Sequence, residues 1–400
     1  MLRFRLADCL LVIVSTAVTY LAAEAAFALV GLRYVPLRLH GELPEEIRVF
    51  AQSSKSGVLP RNPVLLLGDS YAQGYGDWLL EADTNGNGPF HSGHVIQEKT
   101  GRDVVTLGVS GAGSAEGIAA IPAAAFAQSN QAWYLRLPKP SLAVVYFYEG
   151  NDLNNNLSFL EHRVAGTDAA GLAERIDRSL ADYPSAMFVP SDWKRHFPLA
   201  RFAARLAMQA YAEASGTAQA PVPEDPTIVA QADSPNAAEV AGKVAALPGH
   251  LQSPALELSR DDLERGTLVY ERSLVYLQKL LPGTPILIVY VPSPLSSYRL
   301  LGAEVSSQQY VAGAATHYPK ARVPEYSNAV CELIRTATIG HGAGFLDLRP
   351  AIRAASIGDF VHGPRDFKHF NRRGMELLGQ AVADRIDRPL VDGRCSPVSD

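Results

Sequence analysis

Cysteine is nearly absent from this 400-residue chain, which has only Cys9, Cys331 and Cys395, without a C-x-x-C pair or metal-ligand spacing. That excludes a zinc-organised fold. Cys9 lies in an apolar segment, and Cys331 and Cys395 are candidates for a disulfide if the body is exported, or for free thiols, because spacing alone carries no geometry. A basic excess is also lacking. The formal net charge is -5 and no Lys/Arg stripe carries interleaved aromatics, so nucleic acid is excluded as a partner on electrostatic grounds. There is no internal repeat and no heptad. His91 and His94 belong to no H-x-x-x-H pattern, which leaves metal-dependent hydrolysis without a motif, and no metal or cofactor is expected. With 47% hydrophobic and 19% charged residues, the composition is that of a globular protein.

Long apolar runs are missing too, except at the start. Leu6 to Leu32 is interrupted only by Asp8 and Glu24, both outside the strongest stretch, Leu10 to Ala23. About 20 apolar residues cross a bilayer as a helix. Arg3 and Arg5 before the run favour a cytoplasmic N-terminus and an exported body, while Arg33 and Arg38 beyond it oppose that orientation. The rival is a cleaved signal peptide, for which Ala23-Glu24-Ala25 offers small residues at suitable spacing. Apolar residues continue past that point, so the expectation is a single-pass anchor within residues 1–35 and an extracytoplasmic, periplasmic body.

Beyond Pro36, Pro44, Pro60 and Pro63, four short apolar runs read as strands buried on both faces: Val64 to Leu67, Val104 to Leu107, Leu142 to Tyr148 and Ile286 to Val291. Gly344 to Leu348 is a weaker fifth. Helical patterns at Asp261 to Leu281 and Gly374 to Ile386 complete an α/β alternation, a three-layer α/β/α parallel-sheet fold. The expected α/β body is therefore 60–160 joined to 259–390. Residues 161–258 read as an insertion, with amphipathic pieces at Ala173 to Leu180 and Trp193 to Ala214, then an Ala/Pro/Gln-rich, partly disordered stretch from Ser215 to Pro254. The piece around Trp193 to Ala214 suits the membrane surface, a lid over the site, or simple packing on the body.

Four blocks carry chemistry. LLLGDSYAQGYG places Ser70 after a strand, where a helix begins and unpaired N–H groups collect, although Asp69 or Ser70 would equally serve as a plain N-cap. VVTLGVSGAGS ends a strand in glycines that let backbone N–H groups approach an oxyanion, with Gly111 the chosen donor. It also nearly spells the G-x-S-x-G elbow at Ser110, but Ala112 stands where the last glycine belongs. LAVVYFYEGNDLNNN follows a strand with Asn151, whose amide can donate to the same oxyanion, while Asn154, Asn155 and Asn156 read as a polar turn. Near the end, D-x-x-H occurs twice, at Asp359/His362 and Asp366/His369. The second pair is preferred because Asn371, Gly374 and a periodic helix follow it directly.

In this order the blocks resemble the SGNH/GDSL hydrolase superfamily, over Pro63 to Asp152 and Thr284 to Ile386. The resemblance implies Ser70 as nucleophile, Asp366 and His369 as its activating pair, and an oxyanion hole built from the Ser70 and Gly111 N–H groups and Asn151. Thr106 stands where the family often has asparagine, and Phe367 where D-G-x-H is common. The implied activity is acyl-enzyme chemistry on an ester, with O-acetyl groups of a cell-envelope polysaccharide as the expected substrate. An O-acetyltransferase, a lipase or simple-ester hydrolase, and a non-catalytic glycan-binding module are the alternatives. Tyr71, Tyr75, Trp78 and Tyr148 are candidates for sugar stacking or for core.

Overall fold

The computed structural model describes residues 6–74, 76, 91–129, 131, 136–164, 166, 170–187, 196–215, 234–308, 315–388 and 393–398. In chain order the N-terminal half contains α1 (Leu6–Leu29), α2 (Glu45–Ala51), β1 (Val64–Leu67), α3 (Ser70–Gln73), α4 (Ser92–Thr100), β2 (Val104–Thr106) and α5 (Ile121–Ser129). There follow β3 (Leu142–Tyr148), α6 (Asp152–Arg163), α7 (Leu172–Met187), α8 (Pro198–Ala214), β4 (Ala237–Val240), β5 (Lys243–Ala246) and α9 (Arg260–Leu280). The remainder is β6 (Ile286–Val291), α10 (Pro294–Ser297), β7 (Arg299–Leu300), β8 (Glu304–Ser307), β9 (Thr316–Pro319), α11 (Arg322–Gly340), β10 (Gly344–Asp347), α12 (Arg349–Ser356) and α13 (Arg372–Ile386).

The five apolar runs pair in parallel as one sheet in the order β10-β6-β3-β1-β2. Successive side chains of a strand point to opposite faces, so a run buried throughout needs cover on both. Leu66, Val144, Tyr146, Leu287 and Val289 pack on one side with Ile352, Met375, Leu378 and Val382 of α12 and α13. Leu65, Val145, Phe147, Ile288 and Tyr290 pack on the other with Tyr270, Leu274, Leu277, Val330 and Ile334 of α9 and α11. The protein is thus a three-layer α/β/α fold. Helix α9 shows how local sequence agrees with the layer: Ser259 and Asp262 form a reciprocal capping box, and Leu263, Tyr270, Leu274 and Leu277 present one buried stripe.

Both sheet edges are covered, which spares them from pairing with other chains. Beside β2, Gln52 acts as a substitute strand: its Nε2 donates to Thr106 O at 2.7 Å and its Oε1 accepts from Thr106 N at 2.9 Å. Beyond β10 the C-terminal tail is tied to α11 by the Cys331–Cys395 disulfide. Gly393 lies so close to the Phe345 carbonyl that a Cβ would sit 2.1 Å from it.

The stretch expected to be irregular differs. Residues 216–233 lie outside the described residues, but 234–258 are ordered and largely internal. β4 and β5 form a hairpin through Ala241 and Gly242, both at positive φ, and β4 also pairs with β7. Leu247, Leu251 and Leu256 then enter the main core. Asn236 locks the segment down by donating to Pro248 O and Ser306 O and accepting from Ser306 N, each at 2.8 Å.

Helix α1 is long and apolar enough to cross a membrane or to act as a signal sequence. Ala7 to Ala23 are exposed, and only from Glu24 does the helix join the body. There it meets α8 rather than the α/β/α layers, in a separate apolar cluster that includes Leu32, Leu43, Ile47, Phe50 and Phe202.

Candidate active site

In a doubly wound sheet the crevice for ligands opens where strand order reverses, at the carboxyl ends of the strands. Here β1 is flanked by β2 and β3, so the crevice lies between the ends of β1 and β3. Ser70 follows the first and Asn151 the second. The turn into α3 is set by Asp69, whose side chain accepts from Tyr71 N at 2.9 Å and caps the helix. Ser70 therefore opens α3 and is not its cap, being 2% exposed.

The C-terminal loop supplies the rest. His369 Nε2 lies 2.9 Å from Ser70 Oγ, and His369 Nδ1 lies 2.6 Å from Asp366 Oδ2. A carboxylate can only accept, so Nδ1 carries the proton and Nε2 is left to accept from the Ser70 hydroxyl. The other carboxylate oxygen, Asp366 Oδ1, accepts from Lys368 N at 2.9 Å and His369 N at 3.2 Å, closing the loop on itself. Burial alone would raise the Asp366 carboxyl, but the His369 ring and these N–H donors outweigh it and hold the group below the usual carboxylate range. Tyr71 joins the two halves: its hydroxyl donates to Lys368 O at 2.9 Å, and its ring packs on Tyr148 and Phe370.

His362, the alternative histidine, sits elsewhere in function. It is fully buried, its Nδ1 is 3.1 Å from the Tyr298 hydroxyl, and its ring packs on Tyr298 and Phe370. Burial in that aromatic nest lowers its pKa to about 3, which keeps it neutral. Its partner in spacing, Asp359, is engaged with Arg373 instead.

The glycine turn after β2 approaches α3 closely. A Cβ on Gly108 would meet Gln73 N at 2.3 Å, and Gly111 has φ of 77°, a conformation L side chains avoid. Two side chains clamp this turn: Gln73 Oε1 accepts from Ser110 N at 2.6 Å, and Asn155 Nδ2 donates to Gly111 O at 2.9 Å. Ser110 itself is exposed. Asn151 is 2% exposed and makes no side-chain capping bond to α6, and its Oδ1 has no hydrogen-bond partner; the group that could meet an oxyanion is the Nδ2 of the same amide.

The three asparagines read as a polar turn are instead in the first turns of α6, each bonded to a distant segment. Asn154 donates to Glu257 and Asn155 to Gly111, while Asn156 accepts from Ser114 N and donates to Gly266 O. Asp152 accepts from Tyr148 N at 3.0 Å. Burial and the nearby Asp69 push its carboxyl well up, and burial likewise pushes Asp69 up to about 6. Tyr71 and Tyr148 are core residues, whereas Tyr75 and Trp78 lie outside the described residues. His91 caps α4 by accepting from Gly93 N.

No protein-family description and no curated protein matches this chain. Among solved structures it is similar to an extracellular lipase from Streptomyces rimosus, with 13% identity over 80% of this chain and 100% of the lipase and a TM-score of 0.36. A second crystal structure aligns with 15% identity over 81% of this chain and 96% of the other, at a TM-score of 0.34. Scores this low say nothing about chemistry in this chain. What the site can do follows from its own geometry: a hydroxyl, an imidazole and a carboxylate are aligned in sequence at the mouth of a crevice.

Proposed function

We infer that the chain is a membrane-anchored serine esterase working through an acyl-enzyme on Ser70, with O-acetyl groups of a cell-envelope glycan as substrate. The observation that carries the reading is the relay from Ser70 Oγ through His369 to Asp366, with both links at 2.9 Å or less. In the proposed reaction His369 takes the Ser70 proton as Oγ attacks the ester carbonyl, and Asp366 stabilises the imidazolium. Negative charge on the carbonyl oxygen is met by the Ser70 and Gly111 N–H groups and the Asn151 amide. His369 returns the proton to the leaving alcohol, and water then attacks the acyl group with His369 as base.

The glycan as substrate rests on position. An active site carried by a body tethered through α1 works on material at the membrane face, and esters of surface polysaccharide are exposed there. The test is acetate release from a panel of acetylated polysaccharides by the full-length protein and by Ser70→Ala, alongside labelling with a fluorophosphonate. Labelling lost in Ser70→Ala and acetate release by the wild type alone are expected. Full acetate release by Ser70→Ala would overturn the mechanism, and labelling without release from any glycan would overturn the substrate.

A further inference from the structure

Helix α8 leaves exposed an apolar arc that a helix at the surface of a water-soluble body would bury. Ala203, Ala204, Ala207, Met208, Ala210, Tyr211 and Ala214 are all exposed, Met208 by 70% and Tyr211 by 75%. At 3.6 residues per turn they share one arc of about 160°. Arg201, Arg205, Gln209 and Glu213 all fall outside that arc, on the side of buried Phe202 and of Leu206. Arg205, Gln209 and Glu213 are exposed as well, on the flanks and beyond the body's edge, and Arg205 reaches back to Leu43 O at 3.2 Å, so the outward arc itself is wholly apolar.

Where α8 begins explains this. Its N-terminus is seated on α1: Glu24 accepts from Leu199 N at 2.7 Å and Ala200 N at 2.9 Å, Tyr20 stacks on Phe197 and Phe27 on Phe202. The part of α1 that is free of the body, Ala7 to Ala23, rises only about 25 Å at 1.5 Å per residue. The hydrocarbon of a bilayer is roughly 30 Å thick. The lipid-facing side of α1 runs on past Glu24 through Ala26, Leu29 and Val30, all exposed. A helix that packs against α1 between Tyr20 and Phe27 therefore starts at the depth of the outer acyl chains. The two ring pairs run in the same order along both helices, so α8 climbs outward from there.

We propose that α8 lies in the outer leaflet beside α1, with its apolar arc against lipid, at the outer edge of the acyl chains near Ala203 and Ala204 and among the headgroups at Tyr211. This rests on α1 spanning the membrane and not on the chemistry of Ser70. Glu24 is then a carboxylate at the edge of the hydrocarbon that stays satisfied because it caps α8 at the positive end of the helix dipole. The catalytic body is held to the bilayer at two points, which fixes its orientation where a single helix would let it swivel.

The test uses full-length protein in phosphatidylcholine–phosphatidylglycerol vesicles, in a Cys9→Ser background with Cys331 and Cys395 left bridged. Single Ala204→Cys, Met208→Cys and Tyr211→Cys variants carry a polarity-sensitive fluorophore. Val14→Cys in α1 and Ile357→Cys, which is 64% exposed on the body, are references. Nitroxides on the lipid acyl chain or on the headgroup serve as quenchers. Expected are blue-shifted emission at 204 and 208 with loss to the acyl-chain nitroxide, stronger loss to the headgroup nitroxide at 211, and neither effect at 357. Water-like emission at all three α8 sites with quenching at 14 would overturn the proposal. So would blue-shifted emission that neither nitroxide quenches, since a protein, such as a second copy of this chain, would then cover the face. Failure of quenching at 14 removes the anchor and this proposal with it.

Discussion

The crevice at Ser70 and the junction of α1 with α8 solve opposite problems. Around Ser70, polar groups are drawn inside: Asp69, Asp152, Asn151, Asn156 and His362 are nearly or fully buried, with Asn156 and His362 bonded to segments far away in sequence and Asp69 and Asp152 to backbone N–H groups close by. Burying such groups without partners costs several kcal/mol, so the network pins the crevice in one arrangement. At the α1–α8 junction, apolar groups are pushed outside while the Glu24 carboxylate is buried. Exposed apolar arcs of that size are costly in water and comfortable in lipid. In the proposed reading the buried polar constellation carries the chemistry and the exposed apolar helix sets the location, so two different regions answer to the two roles.

Damage to the crevice is expected to end turnover and to leave membrane attachment intact. Ser70→Ala is expected to lower kcat on an acetyl ester by about 10^5-fold or more, as removal of a nucleophile in a Ser-His-Asp set does. The variant should still sediment with membranes and melt within a few degrees of the wild type. His369→Ala should match it in kcat. Retention of more than a tenth of the activity in either variant would break the assignment of the crevice as the chemical region.

Asn151→Ala comes next. Its side chain makes no capping bond, so the amide can be removed with little structural loss, yet its removal should cost about 2.7 to 4 kcal/mol of transition-state stabilisation, or 10²- to 10³-fold in kcat. The KM should hardly move, because the charge it meets exists only in the transition state. A fall in melting temperature with unchanged kcat would make Asn151 part of the structural network instead.

How much of this was legible in the sequence depends on whether the signal is local. The parallel strands were, because Leu142 to Tyr148 and Ile286 to Val291 are continuous apolar runs too short for helices. The three residues that meet at the crevice, Ser70, Asp366 and His369, lie at element ends where a turn glycine or a cap marks the chain. The β4–β5 hairpin was not legible. Its turn uses Ala241 at φ of 52°, where Asn or Asp would have announced it. The clamps by Asn155 and Gln73 were hidden for another reason, since their partners at Gly111 and Ser110 are dozens of residues away and only the fold brings them near. Periodicity showed that the α8 region is amphipathic, but no periodicity says which face turns outward.

The two histidines with the same D-x-x-H spacing sharpen the comparison further through pH. His362 is neutral in the native state, with a pKa near 3, while an unfolded histidine titrates near 6.5. Between those values the unfolded chain binds a proton that the native one does not, so stability falls as pH falls through that window. The loss from this one residue is about 2 kcal/mol between pH 6.5 and 5, at 1.36 kcal/mol for each pH unit. His362→Phe should flatten this acid limb relative to the wild type, with a cost of about 1 kcal/mol at pH 7 for the lost Tyr298 bond. Its activity at pH 7.5 should be retained, which His369→Phe cannot do. Asp69 acts in the opposite sense, gaining stability as pH drops from about 6 toward the ordinary carboxylate value, so the difference between variant and parent, not either curve alone, isolates His362.

The smallest effect belongs to Glu24. Replacing it by Gln keeps the shape and one acceptor but removes the negative charge at the α8 N-terminus. A cap charge at a helix start contributes about 0.3 to 1 kcal/mol when exposed and up to about 2 when partly buried. Because Glu24 is only 4% exposed and accepts two N–H bonds, about 1 kcal/mol is expected. The loss should appear as faster proteolysis or hydrogen exchange of α8 in membrane-bound protein, with kcat on a small soluble ester unchanged. Turnover of a membrane-proximal polymer should fall, since a loosened α8 lets the body swivel on α1. Equal loss on the small ester and the polymer would mean that the α1–α8 junction and the Ser70 crevice are energetically one unit, and the separation of chemistry from location would fail.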